Sequence, residues 1–245
     1  MLGCPIDQVT LAEAVSRVEG AIAGSGVFQQ VSINAAKLVR YQKEDDLRAA
    51  VNGCDLITAD GQSVVWAARL LGRPLPERVA GIDLMDALLV AAAHRGYRVF
   101  LLGARPAVLE RAERAIVQRF PGIEIVGRHH GYFSPAEEAE VVGLIEEARP
   151  DILFIALETP AKELFLRRNR GRLAVPFAMG VGGAFDILAG VKRRAPRLLR
   201  RAGLEWLFRF VQDPRRLARR YVVGNSRFLW LVAREVVRER RSRAG

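Results

Sequence analysis

Short apolar runs rich in valine, isoleucine, leucine and phenylalanine recur through the first 190 residues, separated by longer stretches with helical spacing. The runs FQQVSIN (28–34), DLITA (55–59), YRVFLLG (97–103), IEIVGRH (123–129), DILFIAL (151–157) and PFAMGVG (176–182) read as strands. The segments 35–51, 62–71, 83–95, 106–119, 135–148 and 161–171 read as helices. Pro106 suits a first helical turn, and Ser134-Pro135 followed by Glu137 and Glu138 suits a helix N-terminus. Strand–helix alternation of this kind predicts an α/β fold: a mostly parallel, doubly wound sheet with helices on both faces.

In open α/β sheets, ligands bind beyond the carboxyl ends of the strands. Those ends carry Ser32 and Asn34, Asp60 and Gly61, Gly103, His129 and His130, Glu158, and the run Gly180 to Gly183. After Gly190 the pattern changes. The remainder reads as basic helices, with breaks expected near Asp213-Pro214 and Gly224-Asn225. Residues 1–190 are therefore expected to form the core and residues 191–245 a C-terminal appendage.

Composition sharpens that division. The 245-residue chain is 50% hydrophobic, enough for a large core, and carries a formal charge of +11. Residues 191–245 hold Lys192 and sixteen arginines against Glu205, Asp213, Glu235 and Glu239, a net +13, while the first 190 residues carry 21 basic and 23 acidic side chains. A near-neutral body with a cationic end points to an anionic partner: nucleic acid, an anionic membrane or a phosphorylated ligand. In that end, Trp206, Phe208, Phe210, Tyr221, Phe228 and Trp230 are interleaved with arginines. Such helices suit an anionic membrane surface, and equally suit docking onto the body.

The two cysteines, Cys4 and Cys54, form neither a disulfide framework nor a metal knuckle, and Cys54 is expected to open a buried strand. A reducing cytosolic setting fits this usage. The N-terminus lacks the basic-then-apolar pattern of a signal peptide, and no apolar run reaches the roughly 18 to 20 residues of a membrane span. The expectation is a cytoplasmic protein, soluble or peripheral on a membrane.

Read locally, Asp60-Gly61 is either a helix cap with its turn or a carboxylate placed for chemistry. GVGGAFD (180–186) lies between a strand and a helix, where its amides can cradle a phosphate or its glycines can permit close packing. It does not match the dinucleotide fingerprint. Adjacent strand residues point to opposite faces, which argues against His129-His130 as a metal pair. There is no Walker-type Gly-Lys-Ser and no nucleophile elbow.

Taken together, the segments VSINAAKLV (31–39), DLITADGQSVVWAARLLGRPLPERVAGIDL (55–84), RVFLLGARP (98–106), HHGYF (129–133), PDILFIALETPAKE (150–163), GVGGAFDILAG (180–190), RRAPRLLRRAGLEWLFRF (193–210) and DPRRLARRY (213–221) resemble the WecG/TagA/CpsF family of bacterial glycosyltransferases over essentially the whole chain. The resemblance implies a Rossmann-like core with a membrane-associating C-terminal appendage. It implies an inverting enzyme without metal or cofactor that moves a sugar, often N-acetylmannosamine, from a UDP-sugar to a polyprenyl-diphosphate-linked acceptor in cell-surface polymer synthesis. By resemblance, the catalytic base maps to Asp60, its polar neighbours to Ser32 and Asn34, and diphosphate-holding arginines to Arg209, Arg216 and Arg219. Gly61, Gly103, Lys162, Gly182 and Gly183 join the expected donor and acceptor site.

These residue types suit the chemistry. A base takes the acceptor's hydroxyl proton as the oxygen attacks the anomeric carbon. Guanidinium groups neutralise the departing diphosphate. One departure stands out: where the family commonly reads Gly-x-Pro-x-Gln-Glu, this chain has Glu158-Thr159-Pro160-Ala161-Lys162-Glu163. Lys162 either alters donor choice, toward UDP-glucose or an anionic UDP-sugar, or is compensated by an ion pair with Glu158. The expected partners are a UDP-sugar, a lipid-linked acceptor and, through residues 191–245, an anionic membrane surface. A nucleic-acid partner would leave Asp60, Asn34 and the glycine turn without a role, so none is expected. Homo-oligomerisation is left open.

Overall fold

The computed structural model describes residues 1–245 except 25, 197, 200–202, 213 and 245, together with the side chains of 209, 215–223 and 240–244. All six expected strands are present: β1 (Phe28–Ile33), β2 (Leu56–Ala59), β3 (Arg98–Gly103), β4 (Glu124–His129), β5 (Ile152–Ala156) and β6 (Phe177–Gly180). They form one sheet in the order β2-β1-β6-β5-β3-β4. Every neighbouring pair is parallel, so the sheet is parallel throughout.

The described helices include α1 (Leu11–Ala23), α2 (Ala35–Tyr41), α3 (Asp45–Asn52), α4 (Gln62–Leu70), α5 (Gly81–Arg95), α6 (Pro106–Arg119), α7 (Glu138–Ala148), α8 (Ala161–Asn169), α9 (Ala184–Leu188), α10 (Glu205–Gln212) and α11 (Pro214–Ala244). Period-two alternation sorts each strand's side chains onto two faces. Val99, Leu101, Ile152, Phe154, Phe177 and Met179 meet α1, α5, α6 and α9 on the first face. Phe100, Leu102, Leu153, Ile155 and Ala178 meet α7 and α8 on the second. The second face continues across β1 and β2, where Val31, Ile33, Ile57 and Ala59 pack with α2, α3 and α4.

Three local expectations need correction. The helix expected over 35–51 is two helices, because Glu44 adopts an extended backbone and α3 restarts behind it with Asp45 and Asp46 in its first turn. An N-terminal helix, α1, precedes the first strand, opened by a reciprocal capping box of Thr10 and Glu13. The break expected at Gly224-Asn225 is absent: α11 runs through it; Asp213, in the other expected break, lies outside the described residues. Cys54 precedes β2 instead of opening it, and its thiol donates to the Ala50 carbonyl at 3.3 Å.

Among the described aromatics of the C-terminal segment, Phe228 docks onto the body. Phe228 is 3% exposed and packs with Val232 into the second-face core, whereas Trp230, two residues along, is 59% exposed. An ion pair between Arg73 and Glu239, 2.9 Å, also ties α11 to the loop after α4.

The carboxyl edge depends on close backbone approaches. Gly103 has φ +118°, and a β-carbon there would lie 2.6 Å from the Ala156 backbone of the neighbouring strand. No side chain tolerates both conditions. Gly103→Ala is expected to lower stability by at least about 2 kcal/mol, read from urea denaturation midpoints.

Candidate active site

The carboxyl ends of β1 and β2 form one side of the site. The Asp60 amide donates to the Ile33 carbonyl at 2.7 Å, which extends the parallel pairing one residue past the strands and sets Asp60 beside Asn34. Asn34 caps α2, its Oδ1 accepting from the Lys37 amide at 3.0 Å. Asp60 does not serve as the N-cap of α4. That position belongs to Gly61, whose φ of +129° carries the chain out of β2 into the helix. The Asp60 side chain is half-buried, 31% exposed.

Arg78, on the loop before α5, organises the neighbouring charges. Its guanidinium lies 3.9 Å from Asp60 Oδ1, 3.3 Å from Asp83 Oδ2 and 3.0 Å from Glu205 Oε2. Glu205 opens α10, so this pairing brings the C-terminal segment to the edge of the site. Arg194 pairs with Asp83 and lies 3.6 Å from Asp86. Arg78 was not among the residues singled out in the sequence. Its neighbours lie five residues away in one case and 127 in another, so no local spacing exposes the cluster.

Ser32 lies beneath this side of the site. Its hydroxyl accepts from Gln30 Nε2 at 3.0 Å and sits 3.4 Å from Thr58 Oγ1, on the first face of the sheet. A β-carbon at Gly81 would lie 3.0 Å from that hydroxyl, so α5 begins directly against it. The Ser32 main chain is involved as well: its carbonyl accepts from Lys37 Nζ at 2.7 Å.

Lys37 leads to a buried charge cluster beside β1 and β6. Its ammonium pairs with Glu163 Oε1 at 2.8 Å, and Lys162 Nζ reaches the same oxygen at 3.2 Å. Lys162 Nζ also donates to Thr159 Oγ1. Its methylenes lie flat on Gly180, where a β-carbon would be 2.6 Å from Cδ. Among the described residues, the ion-pair partner of Lys162 is thus Glu163, not the Glu158 anticipated. Lys37, Lys162 and Glu163 are all at most 7% exposed. Two buried ammonium groups share one carboxylate, whose Oε2 has no hydrogen-bond partner among the described residues.

Burial, with the nearby Lys37 charge, lowers the Lys162 pKa to about 8 despite the opposing pull of Glu163. For Glu163, burial acts upward, but Lys37 and Lys162 outweigh it and hold the carboxyl below its ordinary range. A lysine at position 37, among the buried Ala35, Leu38, Val39 and Tyr41 of α2, was the available sequence sign of a buried pair.

The other expected residues spread along the edge. Gly182 (φ +54°) and Gly183 form the turn between β6 and α9, next to β1 in the sheet. Gly103 ends β3, two strands beyond β6, and His129 ends β4 at the far edge. With strands spaced about 4.8 Å apart, His129 stands roughly 24 Å from Asp60 and belongs to a different neighbourhood. Its Nδ1 lies 2.8 Å from the His130 carbonyl. Among the described residues, no three His, Cys, Asp or Glu side chains cluster as a metal-ligand set. Both thiols are pushed up by burial, Cys4 to about 11 and Cys54 to about 12. Arg209 lies in α10 and Arg216 and Arg219 in α11, but their side chains fall outside the described residues.

The sequence has known relatives. The family model described as "Glycosyl transferase WecG/TagA/CpsF family" matches residues 1–242. The chain belongs to the WecG/TagA/CpsF family. Similar relatives are the proteins named N-acetylglucosaminyldiphosphoundecaprenol N-acetyl-beta-D-mannosaminyltransferase from Staphylococcus aureus. Those of strains MW2 and NCTC 8325 are 33% identical over 221 residues, covering 89% of this chain and 86% of the relative. The protein of strain MRSA252 is 34% identical over the same share. As a WecG/TagA/CpsF member, the protein is a glycosyltransferase with a Rossmann-like core.

The Lys162 cluster carries a pH signature. Above about pH 8 the native lysine sheds its proton, while an unfolded lysine keeps it to about 10.4. The unfolded chain then binds more protons, so this residue makes stability rise with pH across that window. Relative to Lys162→Gln, the wild-type protein is expected to gain on the order of 2 kcal/mol between pH 7 and pH 9.5. Urea denaturation of both proteins at the two pH values measures the difference.

Proposed function

We propose that the protein is an inverting, metal-independent transferase that moves an N-acetylhexosamine, N-acetylmannosamine by preference, from its UDP-sugar to a polyprenyl-diphosphate-linked saccharide. The observation that carries this reading is Asp60: a half-buried carboxylate at the carboxyl end of β2, beside Asn34, in a chain whose relatives are named as transferases onto a diphosphoundecaprenol-linked sugar. The β-linkage in those relatives' name supports inversion, because an α-linked nucleotide sugar inverts to give it.

In this reading Asp60 takes the proton from the acceptor hydroxyl as that oxygen attacks the anomeric carbon. Asn34 stands beside it to orient the hydroxyl, and the Arg78 guanidinium faces the carboxylate at 3.9 Å. The bond to the UDP oxygen breaks, and the diphosphate leaves with the negative charge. Arg209, Arg216 and Arg219 neutralise that charge in place of a metal ion. The Gly182-Gly183 turn and Gly103 border the donor along the sheet edge. The ammonium of Lys162 is engaged by Glu163 and Thr159, which favours an uncharged donor sugar over an anionic one.

The acceptor is a membrane lipid, and we place the enzyme peripherally on the cytoplasmic membrane's inner face, within cell-surface polysaccharide synthesis. Among the described residues no helix is long and apolar enough to cross a membrane. The +13 charge of residues 191–245 supports attraction to an anionic surface.

Asp60→Asn keeps the shape and removes the base. With UDP-N-acetylmannosamine and a short polyprenyl-diphosphate-N-acetylglucosamine, UDP release by this variant is expected to fall by about 10²- to 10⁴-fold. Wild-type rates from Asp60→Asn would remove Asp60 from the base role. A parallel screen with UDP-glucose and an anionic UDP-sugar tests the donor: faster turnover with either overturns the N-acetylhexosamine assignment.

A further inference from the structure

Helix α4 begins two residues after Asp60 and is amphipathic in an unusual sense. Val64, Ala67 and Ala68 are buried in the body, while the outward face carries two large apolar side chains one turn apart. Trp66 is 56% exposed and Leu70 is 64% exposed. A single exposed leucine calls for no explanation, but a tryptophan and a leucine at i and i+4 form a contiguous apolar stripe.

The stripe has a neighbour. Gly203 is buried against α4: a β-carbon there would lie 3.3 Å from the Trp66 ring and 2.8 Å from Gln62 Cγ. Directly after this contact comes α10, with a second outward apolar pair one turn apart, Leu207 (41% exposed) and Val211 (72% exposed). Arg69 stands exposed on α4 itself, and the segment containing α10 is strongly cationic. Tryptophan, leucine and arginine together match the boundary between lipid headgroups and acyl chains: apolar groups enter the leaflet and cations meet anionic headgroups.

We propose that Trp66 and Leu70 form a membrane-docking stripe on the core itself, outside the basic C-terminal segment, which seats the Asp60 side of the site on an anionic bilayer. This rests on the reading that the acceptor is a membrane lipid. The stripe lies on the helix that begins two residues after Asp60, so docking it brings that side of the site to the membrane. The acceptor's diphosphate is anchored at the headgroup level, and α4 is the first element leaving Asp60.

Binding of the full chain to phosphatidylglycerol–phosphatidylcholine vesicles, without donor or acceptor, tests the stripe independently of catalysis. The double variant Trp66→Ser/Leu70→Ser is expected to bind roughly ten-fold or more weakly, and Trp66→Phe to retain binding. Transfer to a short, water-soluble acceptor by the double variant is expected to match wild type, which also certifies that it folds. Unchanged vesicle affinity overturns the proposal. So does wild-type vesicle affinity with an altered mass by light scattering, which would assign the stripe to a second copy of this chain. If the wild-type protein itself transfers no sugar, weakened vesicle binding by a double variant with the wild-type urea midpoint sustains the stripe while removing the function proposed above.

Discussion

A sheet whose strands all run one way puts every carboxyl end on one edge, and the chain must return through a helix before each new strand. Here that edge collects Asn34, Asp60, Gly103 and the glycine turn after β6, residues separated by up to 149 positions in the chain. Parallel pairing continues one residue beyond β1 and β2, through the amide of Asp60, and this bond sets the carboxylate beside Asn34. The other features of the site are consequences. Gly61 has to turn sharply into α4, and Gly103 has to pass within contact of the β5 backbone.

Two charge clusters hold the edge together, and they differ in kind. Around Arg78, three carboxylates from β2's end, α5 and α10 meet one guanidinium. A planar fork serves several acceptors at once, so the C-terminal segment is tied to the core through a group that also faces Asp60. Around Glu163 the proportions reverse, with two ammonium groups on one carboxylate, all buried. Desolvation makes an unpaired charge costly there, and the sharing of Glu163 limits that cost. Lys162 is thereby absorbed into the fold, its stem lying on a glycine at the end of β6.

Much of this was legible in the sequence. Six apolar runs became six strands, since burial on both faces of a parallel sheet demands continuous apolar residues, as in ILFIA of β5. The change of character after Gly190 was equally plain, because seventeen cationic side chains leave a compositional mark. Asp60 was correctly located at a strand end, but its local reading as a cap was not realised, since the chain turns one residue later at Gly61. The capping box of α1 is written in Thr10 and Glu13, a signal four residues long with no apolar run to mark it. Phe228 and Trp230 look alike in sequence and lie two residues apart, yet one enters the core and the other faces outward.

Strand number, sheet class, the place of Asp60 and the cationic end follow from the sequence alone, because each rests on periodicity or composition within one short window. Which residues meet does not. Arg78 with Glu205, and Lys37 with Glu163, are joined across 127 and 126 residues by the order in which strands enter the sheet. That order is decided by how helices cover two faces of a common core. Electrostatic partners chosen at such distance exist only once the layers are packed.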